Sequence, residues 1–337
     1  MLLPVITRVC AGEHLSAAEM AVVIGHIMDG ETTEAQIEAF LVALRAKGET
    51  VDEVVGAARA MRARALKLRV PTGVVVDTCG TGGDGASTIN ISTIAAIVVA
   101  AAGVCVAKHG NRAQSSRAGS ADVLEALGVD VSAPVEVVER CLDEVGIGFL
   151  FAQAFHGATR HAAGARRKIG ARTIFNMLGP LTNPAGARQQ LIGVYAVALL
   201  EPMARALGEL GSERALVVHG AGGLDEIAPA GATEVAEWGA GEVKRYQLRP
   251  SDFHLEETDP AGLAGGDASN NAERARAILD GEPGAGRNTV VMSAAATFYA
   301  AGKSDLREGA RIAERMIDDG TARSVLTRLI ACSRSRS

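Results

Sequence analysis

The sequence lacks several features that would place it in a familiar class of protein. Its five cysteines are scattered and form no C-x-x-C pair, so neither a zinc site nor a disulfide framework is expected. The chain does not open with a charged segment followed by an apolar core, so no signal peptide is expected. The longest apolar run, 94–107, is too short and too interrupted by glycine to span a bilayer. These absences favour a cytoplasmic protein without a membrane partner.

An excess of positive charge is also missing. The chain has 34 Lys and Arg against 39 Asp and Glu, which gives a net charge of −5 and a pI near 5.9. Proteins that bind nucleic acid usually present a basic face, so no nucleic-acid partner is expected. An anionic small molecule stays compatible with this balance, because the local field of a site decides what binds there. The 337 residues are enough for one large domain or two.

A glycine-rich stretch is the most distinctive part of the chain. Residues 77–84 read Asp-Thr-Cys-Gly-Thr-Gly-Gly-Asp, after a β-branched run at 74–76 and before an apolar helical segment at about 89–102. The glycines are therefore predicted to lie where a strand becomes a helix, and free N–H groups there suit an anion. The pattern is neither a P-loop nor a G-x-G-x-x-G turn. It predicts a phosphate cradle of unspecified kind, with a tight structural turn as the alternative.

The residues before about 68 predict helices only. Apolar residues recur there at helical spacing, and the short connections indicate a small antiparallel bundle. Three capping boxes predict the helix starts. They are Ser16-x-x-Glu19, Thr33-x-x-Gln36 and Thr50-x-x-Glu53.

From residue 74 onward, strand patterns alternate with helical ones. We predict an α/β fold with a mainly parallel central sheet flanked by helices, and a smaller all-helical domain. The predicted domains are 1–70, joined by part of 160–187, and 71–337. The predicted strands are 74–76, 104–107, 147–151, 191–197 and 215–218, then a hairpin of 233–238 and 243–248, before four closing helices at about 271–279, 288–301, 306–319 and 322–331.

Three polar segments follow predicted strands. The glycine loop and the sequence Lys-His-Gly-Asn-Arg at 108–112 leave carboxyl ends of strands, so both are expected at one crevice. Asp225 and Glu226 follow a third strand, and paired acids near a phosphate cradle suggest Mg²⁺. A basic cluster lies at 156–172, where one arginine is a candidate for binding a carboxylate and the others are solvated charges.

Together these segments resemble the anthranilate phosphoribosyltransferase family over nearly the whole chain. The motifs appear in the family's order at 77–84, 90–93, 108–112, 172–176 and 224–226. The resemblance implies a nucleoside phosphorylase/phosphoribosyltransferase-type fold, a homodimer and Mg²⁺. It implies transfer of the phosphoribosyl group of 5-phosphoribosyl 1-pyrophosphate to the amine of anthranilate, in the second step of tryptophan biosynthesis.

The resemblance also implies the binding residues. Anthranilate would contact Gly80, Asn111 and Arg166, and the metal would lie near Ser92, Asp225 and Glu226. Phosphoribosyl pyrophosphate would contact Gly80, Gly83, Asp84, Thr88, Asn90, Ile91, Ser92, Thr93, Lys108, His109, Gly110, Asn111, Arg112, Ala113, Gln114, Ser115, Ser116 and Ser120.

The chain departs from the family near the anthranilate end. The family usually has His-Pro-Ala-Met-Lys where residues 156–160 read His-Gly-Ala-Thr-Arg, and 162–165 is smaller and looser than usual. A less rigid anthranilate channel is therefore expected. No catalytic acid or base is named, because an aryl amine is neutral at pH 7; His109 is the obvious candidate, but a structural histidine is the preferred interpretation.

Two other functions fit the same fold. A pyrimidine nucleoside phosphorylase would carry a Lys-His-Ser-…-Gly-Gly loop, which this chain lacks. A non-enzymatic nucleic-acid-binding paralogue would have eroded motifs and a basic surface, whereas this chain keeps its motifs and a net charge of −5.

Overall fold

The computed structural model describes residues 2–113 and 117–335. Four helices come first, and strands and helices then alternate up to a final group of four helices. The helices are α1 (Leu2–Cys10), α2 (Ala17–Met28), α3 (Glu34–Lys47), α4 (Val51–Arg64), α5 (Ile91–Ala101), α6 (Ser120–Leu127), α7 (Val135–Arg140), α8 (Ala152–Phe155), α9 (Arg160–Ile169), α10 (Phe175–Leu181), α11 (Leu200–Glu209), α12 (Ala268–Leu279), α13 (Ala285–Ala300), α14 (Leu306–Asp318) and α15 (Thr321–Ser333). The strands are β1 (Val75–Gly80), β2 (Cys105–Gly110), β3 (Ile147–Phe151), β4 (Gln189–Gly193), β5 (Arg214–His219), β6 (Thr233–Gly239) and β7 (Glu242–Leu248).

All three predicted capping boxes are confirmed. Ser16, Thr33 and Thr50 are the N-caps of α2, α3 and α4, and each accepts from the backbone N–H three residues later. The Glu or Gln at that position accepts from the N–H of the cap in return. Each box satisfies two backbone groups that the first helical turn would leave unpaired.

The four N-terminal helices pack as a bundle around buried contacts. The Glu53 carboxylate is fully buried and accepts from the Leu15 N–H and the Lys47 ammonium, both at 2.9 Å. A Cβ added at Gly56 would lie 2.2 Å from the Ala17 carbonyl oxygen, so α2 and α4 can approach closely only because residue 56 has no side chain.

Helix α9 packs on this bundle more tightly than its sequence predicts. Ala162 and Ala165 are completely buried in the hydrophobic cluster that the bundle helices form. A Cβ at Gly164 would lie 2.4 Å from the Glu34 carboxylate. The small residues bring the backbone of α9 against α3, and the lower rigidity expected of the anthranilate channel stays a prediction.

The sheet has the order β3-β2-β1-β4-β5-β6-β7. The first five of these strands are parallel, and β6 and β7 form the antiparallel hairpin that the sequence predicts. The predicted α/β class is confirmed. Strand order reverses between β1 and β4, and in such sheets a crevice opens outside the carboxyl ends of the strands at this point.

Several boundaries differ from the prediction, and two of the differences affect the site. Asp77 to Gly80 and Lys108 to Gly110 are the last residues of β1 and β2, not loop residues. Residues 81–90 separate β1 from α5, so the glycines do not lead directly into the helix. Strand β4 is 189–193 rather than 191–197, since the chain turns after Gly193.

Helices α5 and α13 form the centre of the larger body. Nearly every side chain of both helices is buried, which is typical of helices packed on all sides. Among the helices of the described residues, none has the length and apolar character needed to cross a membrane.

Candidate active site

The floor of the crevice is a buried polar network between β1 and β2. The Asp77 carboxylate accepts from the His109 N–H at 3.0 Å and from the Asn183 side-chain amide at 2.7 Å. Burial raises the pKa of Asp77, while the nearby Lys108 ammonium favours its charged form. The Asn183 amide also donates to the Ala107 carbonyl at 2.8 Å. These bonds set β1 and β2 in fixed register below the site.

The glycine loop lies directly above the end of β1. The Thr81 N–H donates to the Gly193 carbonyl at 2.9 Å, and the Gly82 N–H donates to Asp225 Oδ2 at 2.8 Å. Gly82 and Gly83 have φ of +64° and +78°, which L side chains rarely adopt. The loop is thus exposed and held by its neighbours rather than by side chains of its own.

Close backbone approaches bring Asp225 to this loop. A Cβ at Gly193 would lie 1.6 Å from the Asp225 carbonyl oxygen, and a Cβ at Gly80 would lie 2.7 Å from Asp225 Oδ2. The last residue of β4 must therefore be glycine for the acidic segment after β5 to reach the glycine loop, while a side chain at residue 80 would displace the Asp225 carboxylate.

The N-terminus of α5 forms the other wall. Asn90 is its N-cap, yet the Asn90 side chain makes no capping bond; its amide donates to the Ala118 carbonyl at 3.1 Å, and its oxygen accepts from Asn271 at 2.9 Å. The Ser92 N–H donates to Glu226 Oε1 at 3.1 Å. The first turn of α5 therefore lies beside the acidic segment, with its positive end at the crevice.

Lys108 lies below the crevice. Its side chain is almost completely buried, and its ammonium donates to the Thr78 carbonyl at 2.5 Å and lies 3.5 Å from Ser92 Oγ. Burial lowers its pKa, whereas Asp77 favours the charged form. The positive charge of Lys108 therefore lies below the first turn of α5.

Asp225 and Glu226 form a pair of crowded carboxyl groups. Burial, and then repulsion from Asp84, raises the pKa of Asp225 to about 7. Burial, and then repulsion from Asp225, raises the pKa of Glu226 to about 8. Both side chains keep some contact with water, but the protein encloses most of their surroundings. The pair therefore favours protons or a cation.

The described residues do not form a complete metal site by themselves. Among residues 2–113 and 117–335, no group of three or more His, Cys, Asp or Glu side chains is arranged to hold a metal ion. The crowded acids still fit Mg²⁺, which prefers oxygen and commonly takes part of its coordination from water and substrate phosphates. A cation at Asp225 and Glu226 would relieve the repulsion that raises their pKa values.

The second predicted loop begins at Asn111. The Asn111 side-chain oxygen accepts from the Arg112 N–H at 2.8 Å, and the Asn111 carbonyl accepts from Ser120 Oγ at 3.3 Å. The Asp122 carboxylate accepts from the N–H groups of Ala113 and Gly119, both at 2.9 Å, and so clamps the two ends of the loop. The predicted contact residues Gln114, Ser115 and Ser116 lie outside the described residues.

Arg112 is already engaged by its own surroundings. Its guanidinium pairs with Asp122 at 2.9 Å and with Glu125 at 2.8 Å, and it lies 5.7 Å from the centroid of the Phe151 ring. These acids hold its pKa above the usual range. Its predicted contact with phosphoribosyl pyrophosphate would therefore have to come from the Arg112 backbone, or the guanidinium would have to leave Asp122 and Glu125.

Arg166 is a cation without an acidic partner in the described part of the chain. It lies half-buried on α9, with its guanidinium 5.2 Å from the centroid of the Phe175 ring. Burial alone lowers its pKa. A partly buried, unpaired guanidinium is suited to a carboxylate ligand, because the ligand would supply the missing charge.

His109 has the environment of a structural histidine. Its Nδ1 lies 3.0 Å from the Gly179 carbonyl, and its ring contacts the His156 ring with centroids 5.2 Å apart. Burial lowers the pKa of His109 to about 3 and that of His156 to about 4. Both rings are thus neutral at physiological pH, and His109 donates from Nδ1 to α10.

Several residues of the site carry no signal in their local sequence. Asn271 orients Asn90 from far along the chain, and Gly193 allows Asp225 to approach. Tyr195 contacts the glycine loop through its N–H, which donates to Thr81 Oγ1 at 3.2 Å. Arg172 belongs to a motif that the sequence shows, but its contact with Gly83 is visible only in the structure.

Comparisons with known proteins identify the family. The family model described as glycosyl transferase family, helical bundle domain, matches residues 3–65, and the model for the a/b domain of the same family matches 72–323. The chain is 55% identical to the anthranilate phosphoribosyltransferase of Moorella thermoacetica, covering 98% of both chains.

Solved structures give the same result. The anthranilate phosphoribosyltransferase of Thermus thermophilus superposes with a TM-score of 0.93 at 46% identity, covering 98% of this chain and 99% of that one. The enzyme of Saccharomyces cerevisiae in complex with PRPP and Mg gives a TM-score of 0.91 at 29% identity, covering 99% and 98%. The chain therefore belongs to the anthranilate phosphoribosyltransferase family.

Proposed function

We propose that this chain transfers the phosphoribosyl group of 5-phosphoribosyl 1-pyrophosphate to the amine of anthranilate, giving N-(5-phosphoribosyl)anthranilate and pyrophosphate. The observation that carries the proposal is the meeting of three groups at the β1/β4 switch point. There a glycine loop, a helix N-terminus and an acid pair lie within hydrogen-bond reach of one another. Relatives with this activity cover nearly the whole chain.

The phosphate groups would lie between the glycine loop and α5. The N–H groups of Thr81 and Gly82 are already bonded within the protein, as is that of Ser92 in the first turn of α5. The N–H groups of 83–85 would therefore be the donors, and α5 would supply the positive end of a helix dipole. The residues predicted from the family lie in two segments that begin in the last residues of β1 and β2, 80–93 and 108–120. Their individual contacts stay predictions.

The reaction would be attack of the amine on the anomeric carbon, where a C–N bond forms as the C–O bond to pyrophosphate breaks, and the nitrogen then loses a proton to solvent. Negative charge grows on the leaving group, so the protein must supply donors that are already in place. The N–H groups of the glycine loop do this directly, and the buried Lys108 charge acts from below. The aryl amine is neutral, and the neutral, buried His109 is not used as a base.

Anthranilate would bind on the side of α9. We assign its carboxylate to Arg166, whose guanidinium has no acidic partner in the described residues. Gly80 and Asn111 complete the predicted contacts. Holding the amine near the anomeric carbon supplies the remaining part of catalysis by proximity.

Mg²⁺ would be held by Asp225 and Glu226, with Ser92 beside them and substrate phosphates completing its coordination. The yeast relative of known structure was solved with PRPP and Mg. When bound, the ion would neutralise charge on the pyrophosphate. The carboxyl groups of this chain would orient the ion and, on binding it, would lose their protons to solvent.

We further propose that the protein works in the cytoplasm as a homodimer. The helical domain would then be 1–70 with part of 160–187, and 71–337 would form the phosphoribosyl-binding domain. The first 64 residues carry three of the exposed large apolar side chains, Leu3, Val22 and Val42, which a second copy could cover.

A fluorescence assay tests the proposed reaction. Loss of anthranilate fluorescence should require both phosphoribosyl pyrophosphate and Mg²⁺, and a chelator should stop it. Pyrophosphate should appear in equal amount. Release of free base from thymidine and phosphate would favour a pyrimidine nucleoside phosphorylase instead, and binding to nucleic acid without turnover would favour the paralogue.

A further inference from the structure

Two residues outside the predicted site contact the glycine loop, Arg172 through its side chain and Tyr195 through its backbone. The Arg172 guanidinium donates to the Gly83 carbonyl, and its central carbon lies 4.0 Å from the centroid of the Tyr195 ring. The Tyr195 N–H donates to Thr81 Oγ1 at 3.2 Å. The residues before and after Gly82 are therefore each held by a hydrogen bond.

The loop needs such support because it has little of its own. Gly82, Gly83 and Gly85 all have positive φ, and a Cβ at Gly82 or Gly85 would meet nothing within 4 Å. Glycine loses more conformational freedom on ordering than any other residue. Amides that bind a developing charge are effective only when they are already in position. Asp225 holds the loop from the opposite side through the Gly82 N–H.

The place of Arg172 in the fold connects the glycine loop to the helical bundle. Arg172 lies in the short turn between α9 and α10. Helix α9 is fixed to α3 by the Lys168–Glu38 ion pair at 2.5 Å and by its buried alanines. The same turn leads into Phe175, which lies under the Arg166 guanidinium. The position of the glycine loop thus depends on the position of α9 against the sheet.

We propose that Arg172, stacked on Tyr195, is a latch that positions the glycine loop for the pyrophosphate of the phosphoribosyl donor. Arg172 is a positioning residue, since it acts through the Gly83 carbonyl rather than on the substrate. Arg172 can contact Gly83 and Tyr195 together only while the helical bundle keeps its position against the sheet. This inference rests on the proposed function for its substrate, but the ordering of the loop is a property of the protein alone.

Kinetics separate the latch from a general structural role. Arg172→Ala should raise KM for phosphoribosyl pyrophosphate about tenfold and leave KM for anthranilate within about twofold. Arg172→Lys should not restore the parent KM for phosphoribosyl pyrophosphate, because a single ammonium cannot both stack on a ring and donate sideways as a planar guanidinium does. Tyr195→Phe keeps the ring and should behave as the parent, whereas Tyr195→Leu should match Arg172→Ala. Arg167→Ala, an exposed arginine on α9, is the matched control.

Hydrogen exchange on the ligand-free protein gives an independent readout. Amides 81–85 should exchange faster in Arg172→Ala and in Tyr195→Leu. Combining the two changes should add little, since both remove the same contact between Arg172 and the Tyr195 ring. Unchanged exchange, additive effects, or an equal rise of both KM values would overturn the latch. If the parent protein lacks transferase activity while the exchange result holds, the proposed function fails and the latch stands.

Discussion

Arg166 has no acidic partner among residues 2–113 and 117–335, and burial alone lowers its pKa. Arg166→Ala should raise KM for anthranilate by about 10- to 100-fold, because a charge-assisted bond to a carboxylate contributes roughly 1.5–3 kcal/mol. KM for phosphoribosyl pyrophosphate should change little. Steady-state kinetics with each substrate varied in turn measure both values.

The neighbouring Arg167→Ala is the control, since Arg167 is exposed on the same helix. An unchanged KM for anthranilate in Arg166→Ala would remove Arg166 from the binding site. Equal effects of the two variants would show that the net charge of α9, rather than one contact, attracts the substrate.

The raised pKa values of Asp225 and Glu226 predict how stability depends on pH. In the unfolded chain these carboxyls ionise at their ordinary pKa values, while in the folded protein they hold protons up to about pH 7 and 8. The folded state therefore binds more protons in this window, so its stability should fall as pH rises. The Tm of the metal-free protein should drop from about pH 5 to about pH 8 and level off above that, because both carboxyls are then ionised in the folded state as well. Millimolar Mg²⁺ should reduce the drop.

Replacing both acids by their amides, Asp225→Asn with Glu226→Gln, should flatten this profile and remove the response to Mg²⁺. The same double variant should lose Mg²⁺-dependent turnover. A pH profile as steep as that of the parent would show that other groups control it, and a normal metal response would place the ion elsewhere.

At the scale of elements, the approach of β4 to the acidic segment depends on one missing side chain. Gly193→Ala would place a Cβ 1.6 Å from the Asp225 carbonyl oxygen, so either β4 or the acidic segment must move. Overpacking of this kind costs about 1–3 kcal/mol or more. The variant should show a lower Tm and a strongly weakened response to Mg²⁺.

Gly179→Ala is the matched control, because a Cβ there meets nothing within 4 Å and residue 179 lies inside α10. It should be neutral or slightly stabilising, as alanine is favoured over glycine in a helix. Equal Tm values for Gly193→Ala and the parent would mean that the backbone adjusts freely and that the close approach has no role.

The elements themselves were largely predictable, and the site only in part. Capping boxes predicted the starts of α2, α3 and α4, and alternation predicted the parallel sheet, because both signals are local. The ends of β1 and β2 were missed, since Asp77 and Lys108 are polar residues buried in strands. Their burial is possible only because Asn183 and Thr78 supply partners from elsewhere in the fold.

At the scale of the whole molecule, the exposed apolar side chains of the bundle predict its assembly. Leu3 and Val42 are 63% and 49% exposed. Leu3→Asp combined with Val42→Asp should convert a dimer into a monomer, because charge on both helices would be buried in the interface. Light scattering after size exclusion measures the mass.

Val197→Asp is the control, since Val197 is 46% exposed but lies outside the bundle. It should leave the mass unchanged. A parent protein with the mass of one chain, or dissociation by Val197→Asp alone, would contradict a dimer formed through the bundle.

The sequence by itself determined the family, the α/β class and the segments that carry the site, because motif order and helical or strand periodicity are written in neighbouring residues. Only the tertiary structure decided which groups repel, which cations stay unpaired and what holds the glycine loop. Asp84 meets Asp225, Asn271 meets Asn90 and Arg172 meets Gly83 across long stretches of chain. Such contacts, and the pKa values that follow from burial, exist only once the strands have been placed side by side.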